Sequence, residues 1–150
     1  MPKKAVVTIG KHHKLIAIIS TTIAVIIMLV SIFICFTGNI KINYDDNSFT
    51  IEASYWHDLT VDYDSVENIE YIDDFDKGVR VYGFGSPKLS MGTFKSDAFG
   101  TYSLYGYTRC DSAVILTVDG KTLAINGTDG QETNAIYQNL LAHISSIPLS

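Results

Sequence analysis

The sequence predicts a mainly β domain, a β-barrel or curled antiparallel sandwich, closed by one C-terminal α-helix and preceded by a single transmembrane helix. Three observations predict it. The run Leu15–Phe36 holds 22 residues without a charge. Beyond it, short stretches of alternating apolar and polar residues are separated by Asp, Asn and Gly. After Thr128 the apolar spacing changes from every second residue to the three-and-four spacing of a helix. The resulting division is a basic tail at 1–14, a transmembrane helix at 15–37 and a β domain at 39–147.

As a helix rising about 1.5 Å per residue, the uncharged run reaches roughly 33 Å, enough to cross a hydrocarbon core of about 30 Å. Its polar atoms are the hydroxyls of Ser20, Thr21, Thr22 and Ser31, which can bond back to helix carbonyls. A soluble helix of this length would carry a polar face. A cleaved signal would have a shorter apolar core, about 7–15 residues, and a small-x-small site after it; neither is present. Cys35 is preceded by Ile34, where a lipoprotein signal needs a small residue. The run therefore reads as a retained anchor.

Charge orients it. Lys3, Lys4, Lys11 and Lys14 precede the span, with His12 and His13 among them, and Lys41 is the sole basic residue within about 20 residues after it. The N-terminus is thereby placed in the cytoplasm and the domain outside. The adjacent His12 and His13, lacking a third ligand, read as membrane flank rather than metal pair. Residues 39–150 hold 16 acidic residues against seven basic ones, a net charge of −9. Such a domain is repelled by nucleic acid and by anionic lipid. Of two cysteines, Cys35 lies in the span and Cys110 in the domain, so Cys110 is a lone thiol and no internal disulfide supports the fold.

Along the domain, Ile40–Tyr44 and Phe49–Ala53 alternate around Asp45-Asp46-Asn47, a hairpin signal. Leu59–Tyr63 and Val66–Ile72 alternate again. A polar turn at Asp73–Gly78 leads into Val79–Tyr82, and Pro87 marks an edge or loop after Gly83–Ser86. Leu89–Lys95 and Phe99–Tyr107 are strands whose glycines suggest that they are bulged or bent. Asp119-Gly120, between Ala113–Val118 and Lys121–Asn126, fits a two-residue type I′ turn. Capping-box spacing occurs twice, Thr128 to Gln131 and Asp129 to Glu132. Ile136, Leu140 and Ile144 then share a helical face, with Tyr137 and Leu141 beside it, and Pro148 stops the helix. About seven antiparallel strands plugged by this helix are the expected architecture.

The order of these features over residues 40–146 resembles the bacterial pleckstrin-homology-like (PH-like) domains attached to membrane helices. The resemblance rests on the opening hairpin, Leu59–Val61 with Val66–Tyr71, Arg80–Gly85, Met91–Phe94, Phe99–Tyr105, the 114–126 hairpin and the helix from Glu132. It implies the PH-like fold and a binding role. Relatives with this arrangement often carry two helices before the domain, whereas this chain has one. The basic cluster that phosphoinositide-binding pleckstrin domains place between their first strands is replaced here by Tyr44-Asp45-Asp46-Asn47-Ser48, so lipid head-group binding does not carry over.

No catalytic, cofactor or metal site is assigned. Asp73-Asp74-Phe75-Asp76-Lys77-Gly78 is oxygen-rich but lacks the further ligands of a calcium loop and reads as a solvated turn. His57 beside Asp58 points to the opposite face of a strand and has no identifiable nucleophile. Cys110, between Arg109 and Asp111, reads as inert. Asn126-Gly127-Thr128, a glycosylation-acceptor pattern, reads as the turn before the helix. The aromatic set Tyr82, Phe84, Phe94, Phe99, Tyr102, Tyr105 and Tyr107 is mainly core, with a few tyrosines left for a peptide or protein contact. The expected function is a membrane-anchored, non-enzymatic interaction domain that contacts another membrane or envelope protein. The alternative is a small extracytoplasmic enzyme or metal-binding domain using His57 and the Asp73–Asp76 loop. Topology is directly testable: protease added to intact protoplasts should digest the domain, and its protection beside a digested extracellular control would invert the orientation.

Overall fold

A computed structural model describes residues 3–146, and the side chains of residues 12–145. It divides the chain into two units, Met1–Phe36 and Thr37–Ser150. In the first, helix α1 runs Lys3–Phe36, continuing through the basic stretch. Its segment His12–Phe36 is long and apolar enough to cross a membrane. Within that segment each hydroxyl turns back on the helix: Ser20 and Thr21 donate to the Ala17 carbonyl, Thr22 to Ile18 and Ser31 to Ile27, at 2.8–3.0 Å. These bonds hide the polar atoms a hydrocarbon environment would penalise.

The second unit is mainly β. Strands β1 (Ile40–Tyr44), β2 (Ser48–Ala53) and β3 (Leu59–Asp62) form one antiparallel sheet in that order. After a 3-10 turn at Tyr63–Ser65 come β4 (Val66–Ile72), β5 (Val79–Gly85), β6 (Leu89–Ser96), β7 (Gly100–Tyr107), β8 (Ala113–Val118) and β9 (Lys121–Ile125). They make a six-stranded sheet in the order β4-β8-β9-β7-β6-β5. Helix α2 (Gly130–Ser146) follows; Pro148 lies outside the described residues.

Three expectations are corrected here. The two sheets do not close into a barrel, since β3 and β4 end separate sheets and β5 pairs with β6 alone. Nor is the pairing wholly antiparallel: Ser103–Tyr105 of β7 run parallel to Leu123–Ile125 of β9. Of the bulge or bend expected in β6 and β7, no bulge separates them: the strands pair without interruption from Leu89↔Tyr107 to Ser96↔Gly100. The register instead shifts in β5, between Arg80 and Tyr82, and in β4, between Val66 and Asn68.

The six-stranded sheet is apolar on both faces. Leu89, Met91, Tyr105, Tyr107, Val114, Leu116, Leu123 and Ile125 pack with Phe49, Ile51, Val61 and Tyr63 of the first-sheet region and Leu140 of α2. Phe94, Tyr102, Leu104, Ala113, Ile115 and Ala124 form a second cluster with Phe75, to which Phe99 and Ile72 add.

Local chemistry agrees with the sequence where it is local. Asp119 (φ 48°) and Gly120 (φ 71°) form the turn between β8 and β9, both with the positive φ of a type I′ turn. At α2 the second of the two capping spacings is used. Glu132 N–H donates to Asp129 Oδ1 at 2.8 Å, and the Glu132 carboxylate accepts from Thr128 N–H at 2.7 Å. Leu140 is fully buried, and Ile136, Tyr137 and Ile144 pack against the same core. His143 stacks on Tyr44 and Tyr63, with ring centroids 5.3 and 5.5 Å apart.

Because Leu140 seats α2 in the main core, Leu140→Ala should destabilise the domain by about 2–5 kcal/mol, as buried leucine truncations do. Denaturant melts of the full chain in micelles check this; coincident curves for the two proteins would remove α2 from the core.

Candidate interaction surface

The acidic loop is structural. Phe75 enters the second core and its N–H donates to the Asp111 carbonyl at 2.6 Å. The Lys77 ammonium donates to the carbonyls of Tyr107, Thr108 and Cys110 at 3.3, 2.7 and 2.9 Å. Tyr102 Oη donates to the Lys77 carbonyl at 2.7 Å. Asp76 accepts from Gly78 N–H at 2.9 Å, an Asx turn, while Asp73 and Asp74 face solvent. Burial lowers the Lys77 pKa, and the nearby Asp111 partly opposes the shift. The segment is a strap across one face of the six-stranded sheet, and its lysine satisfies carbonyls of the 107–110 turn.

His57 and Asp58 lie in the turn between β2 and β3 rather than in a strand, so the strand alternation expected of them does not apply. Asp58 Oδ1 accepts from Ala53 N–H at 3.1 Å, closing the turn between β2 and β3. The exposed His57 ring lies 4.8 Å from Trp56 and 6.0 Å, edge-on, from Tyr105. Among the described residues no group of three or more His, Cys, Asp or Glu is placed to hold a metal ion. Cys110 is buried, with Sγ beside Ser112 Oγ at 3.4 Å and Thr133 Oγ1 at 3.3 Å. Asn126 is buried too, and its Oδ1 accepts from Tyr107 N–H at 2.6 Å. A groove of about 320 Å³ lies between β3 and the β8–β9 hairpin, and its charged lining is Asp62, Asp119 and Lys121.

What remains exposed is at β5. This strand ends the six-stranded sheet, so among the described residues no strand lies along its outer edge. Val79, Val81 and Tyr82 are 71%, 64% and 70% exposed. Of the four strands that end a sheet, β1, β3, β4 and β5, only β5 carries large apolar side chains exposed to this degree. Tyr82 lies 5.5 Å from Trp56 and Phe84 lies 5.3 Å from Tyr55, which joins the strand to the β2–β3 turn. Tyr55 holds φ at +67°, a conformation non-glycine residues adopt at a cost of order 1–3 kcal/mol. Its hydroxyl is bonded to Thr37 Oγ1 at 2.7 Å.

Two glycines bring β5 and β6 together. Gly83 faces Gly92, and a Cβ on Gly83 would lie 2.1 Å from the Met91 carbonyl oxygen, one on Gly92 2.2 Å from that of Tyr82. On the opposite face from Tyr82, Arg80 runs along the strand. Its guanidinium sits 5.4 Å from the Phe94 ring centre and donates to Ser90 Oγ at 3.3 Å. Gly85 leaves the space it occupies.

The aromatic set thus divides. Phe94, Tyr102, Tyr105 and Tyr107 are buried, Phe99 and Phe84 are partly covered, and Tyr82 is outside. Sequence reasoning missed Val79, Val81 and Tyr55 as surface residues. The available signal was Val79-Arg80-Val81-Tyr82, where Arg80 is the single polar residue of a strand that should have shown an outward polar face.

A family model for bacterial PH domains matches residues 40–140, most of the domain and more than half of the chain. The chain belongs to this family of PH-like domains, which are typically non-catalytic interaction domains. No curated protein and no solved structure matches it.

Burial pushes the phenols of Tyr102 and Tyr105 up to about 12, with Asp76 and Asp58 respectively adding to the shift. In the unfolded chain both titrate near 10. The stability they contribute is therefore complete below about pH 10 and is lost as pH rises through about 12. Denaturant midpoints should fall over that window, and Tyr105→Phe should flatten the fall; an unchanged slope in the variant would remove Tyr105 as a source.

Proposed function

We propose that this chain is a membrane-anchored, non-enzymatic binding module whose domain takes an extended segment of another membrane or envelope protein along the outer edge of β5. The observation that carries the reading is the exposure of Val79, Val81 and Tyr82 on a strand that ends its sheet. An unpaired strand edge offers backbone donors and acceptors in a row, and an added strand satisfies them while its side chains meet those of the host strand. Tyr and Trp beside the edge supply large, stiff contact area, the usual anchor of protein interfaces. Tyr55, Trp56 and Phe84 provide this next to Tyr82.

The same reasoning sets phosphoinositide aside. The β1–β2 turn that would meet a head-group carries Asp45 and Asp46, and no basic residue lies between Tyr44 and Ser48. The lysine bias around α1 supports an orientation with the domain outside the cytoplasm.

Photocrosslinking tests the contact in the native cell. A crosslinking amino acid at Val81 should capture a discrete protein, and the same group at Lys121, on the β8–β9 turn, should not. Equal capture at both positions, or none at Val81, would refute β5 as the contact.

A further inference from the structure

The charge of the domain is segregated. Residues 77–96, which contain β5, β6 and the turn between them, carry Lys77, Arg80, Lys88 and Lys95 and no acidic residue. The rest of 39–150 carries three basic residues against all 16 acidic ones. The one strongly apolar exposed strand of the domain therefore lies in the one segment of positive charge. Lys77 is committed to the carbonyls of the 107–110 turn. The other three cations remain on the hairpin: Arg80 in β5, Lys88 in the turn and Lys95 in register with Val79. Asp76 and Asp97 flank the segment, and Asp76 already accepts from Gly78 N–H.

Resting on the reading of β5 as a docking edge, we infer that the segment it takes is acidic: an extended polypeptide alternating apolar side chains with Asp or Glu. Along a strand, successive side chains alternate between faces. A segment added beside β5 would place its apolar residues on the face of Tyr82 and Phe84 and its carboxylates on the face of Arg80. That division follows from the register, since Tyr82 pairs with Thr93 and Phe84 with Met91, while Arg80 pairs with Phe94 on the other face. Arginine carries five donors, and the bond to Ser90 Oγ leaves others to meet a carboxylate. A neutral or basic segment would forgo these pairs. An acidic segment lying anywhere else on the domain would meet like charge.

The test uses the full chain in nanodiscs of zwitterionic lipid and labelled Val/Thr-rich peptides of about eight residues, the length of a typical strand. One peptide carries Glu at alternate positions, and two others carry Gln or Lys there. The Glu peptide should bind about tenfold more tightly than the Gln peptide at low salt, and the gap should close as salt rises from about 50 mM to about 500 mM, because exposed charge pairs are modest and screened. Arg80→Gln, a surface change checked by an unaltered melt, should shrink the gap as well, whereas Lys95→Gln, on the opposite face with Val79, should shrink it less. Equal binding of Glu and Gln peptides, both lost in Tyr82→Ser, would overturn the charge inference and leave the edge reading standing. Absence of all peptide binding would overturn both. Binding of the domain to anionic vesicles through Arg80, Lys88 and Lys95, with no peptide bound, would overturn both in favour of a lipid surface.

Discussion

The six-stranded sheet is apolar on both faces, and covering each face determines most of the rest of the domain. One face meets the three-stranded sheet and α2, which supply Phe49, Ile51, Val61 and Leu140. The other has no second sheet in front of it. It is covered by the 73–78 strap and by Phe99, and the strap must be held against it although its sequence is polar. Phe75 does the covering. The Lys77 ammonium secures the end by donating to the carbonyls of Tyr107, Thr108 and Cys110 beside the core. Asp73 and Asp74 of this segment face water, and Asp76 accepts from Gly78 N–H.

That arrangement leaves β5 over. Proteins guard an edge strand with bulges, lysines and glycines, and β5 has some of these: a register shift at Arg80/Tyr82, Lys95 opposite Val79, and Gly83 and Gly85 within the strand. Guards of this kind come with polar outward side chains. Here Val79, Val81 and Tyr82 point out instead, and Tyr55, beside them, is held at a positive φ. A strand designed only to repel pairing would not carry three exposed apolar groups, and the bulge then reads as a device that presents Tyr82 toward Trp56.

What was legible in the sequence was whatever a few neighbouring residues decide. The Asp119-Gly120 turn, the apolar face around Leu140 and the long apolar helix with its self-bonded hydroxyls each follow from spacing, which also narrows the α2 cap to two candidates, of which Asp129 with Glu132 is used. Barrel closure was misread because it depends on which distant strands meet, and the parallel pairing of β7 with β9 has no local signature. Glycines in β6 suggested bulges, yet Gly92 serves instead to let Gly83 of the next strand approach. The candidate surface was half legible: the lack of acids between Lys77 and Ser96 is plain in the sequence, but that β5 ends the sheet and shows its valines to solvent is a fact of tertiary order.

Tether length connects the anchor to the surface. Three residues, Thr37 to Asn39, separate the last residue of α1 from β1, and three residues reach at most about 10 Å when extended. They are also held within the domain: Thr37 bonds Tyr55, Asn39 accepts from Ser54 N–H at 3.0 Å, and Gly38 packs against the Tyr55 ring and Leu89. A domain on so short a connection cannot search solution. On the proposed reading, with α1 in the bilayer, partners would be segments presented close to the same membrane, where confinement raises the effective concentration and weak contacts suffice. On the proposed reading of β5, a short edge strand with a few exposed charges is an interface of that strength, and anchoring would make so modest a surface adequate for binding.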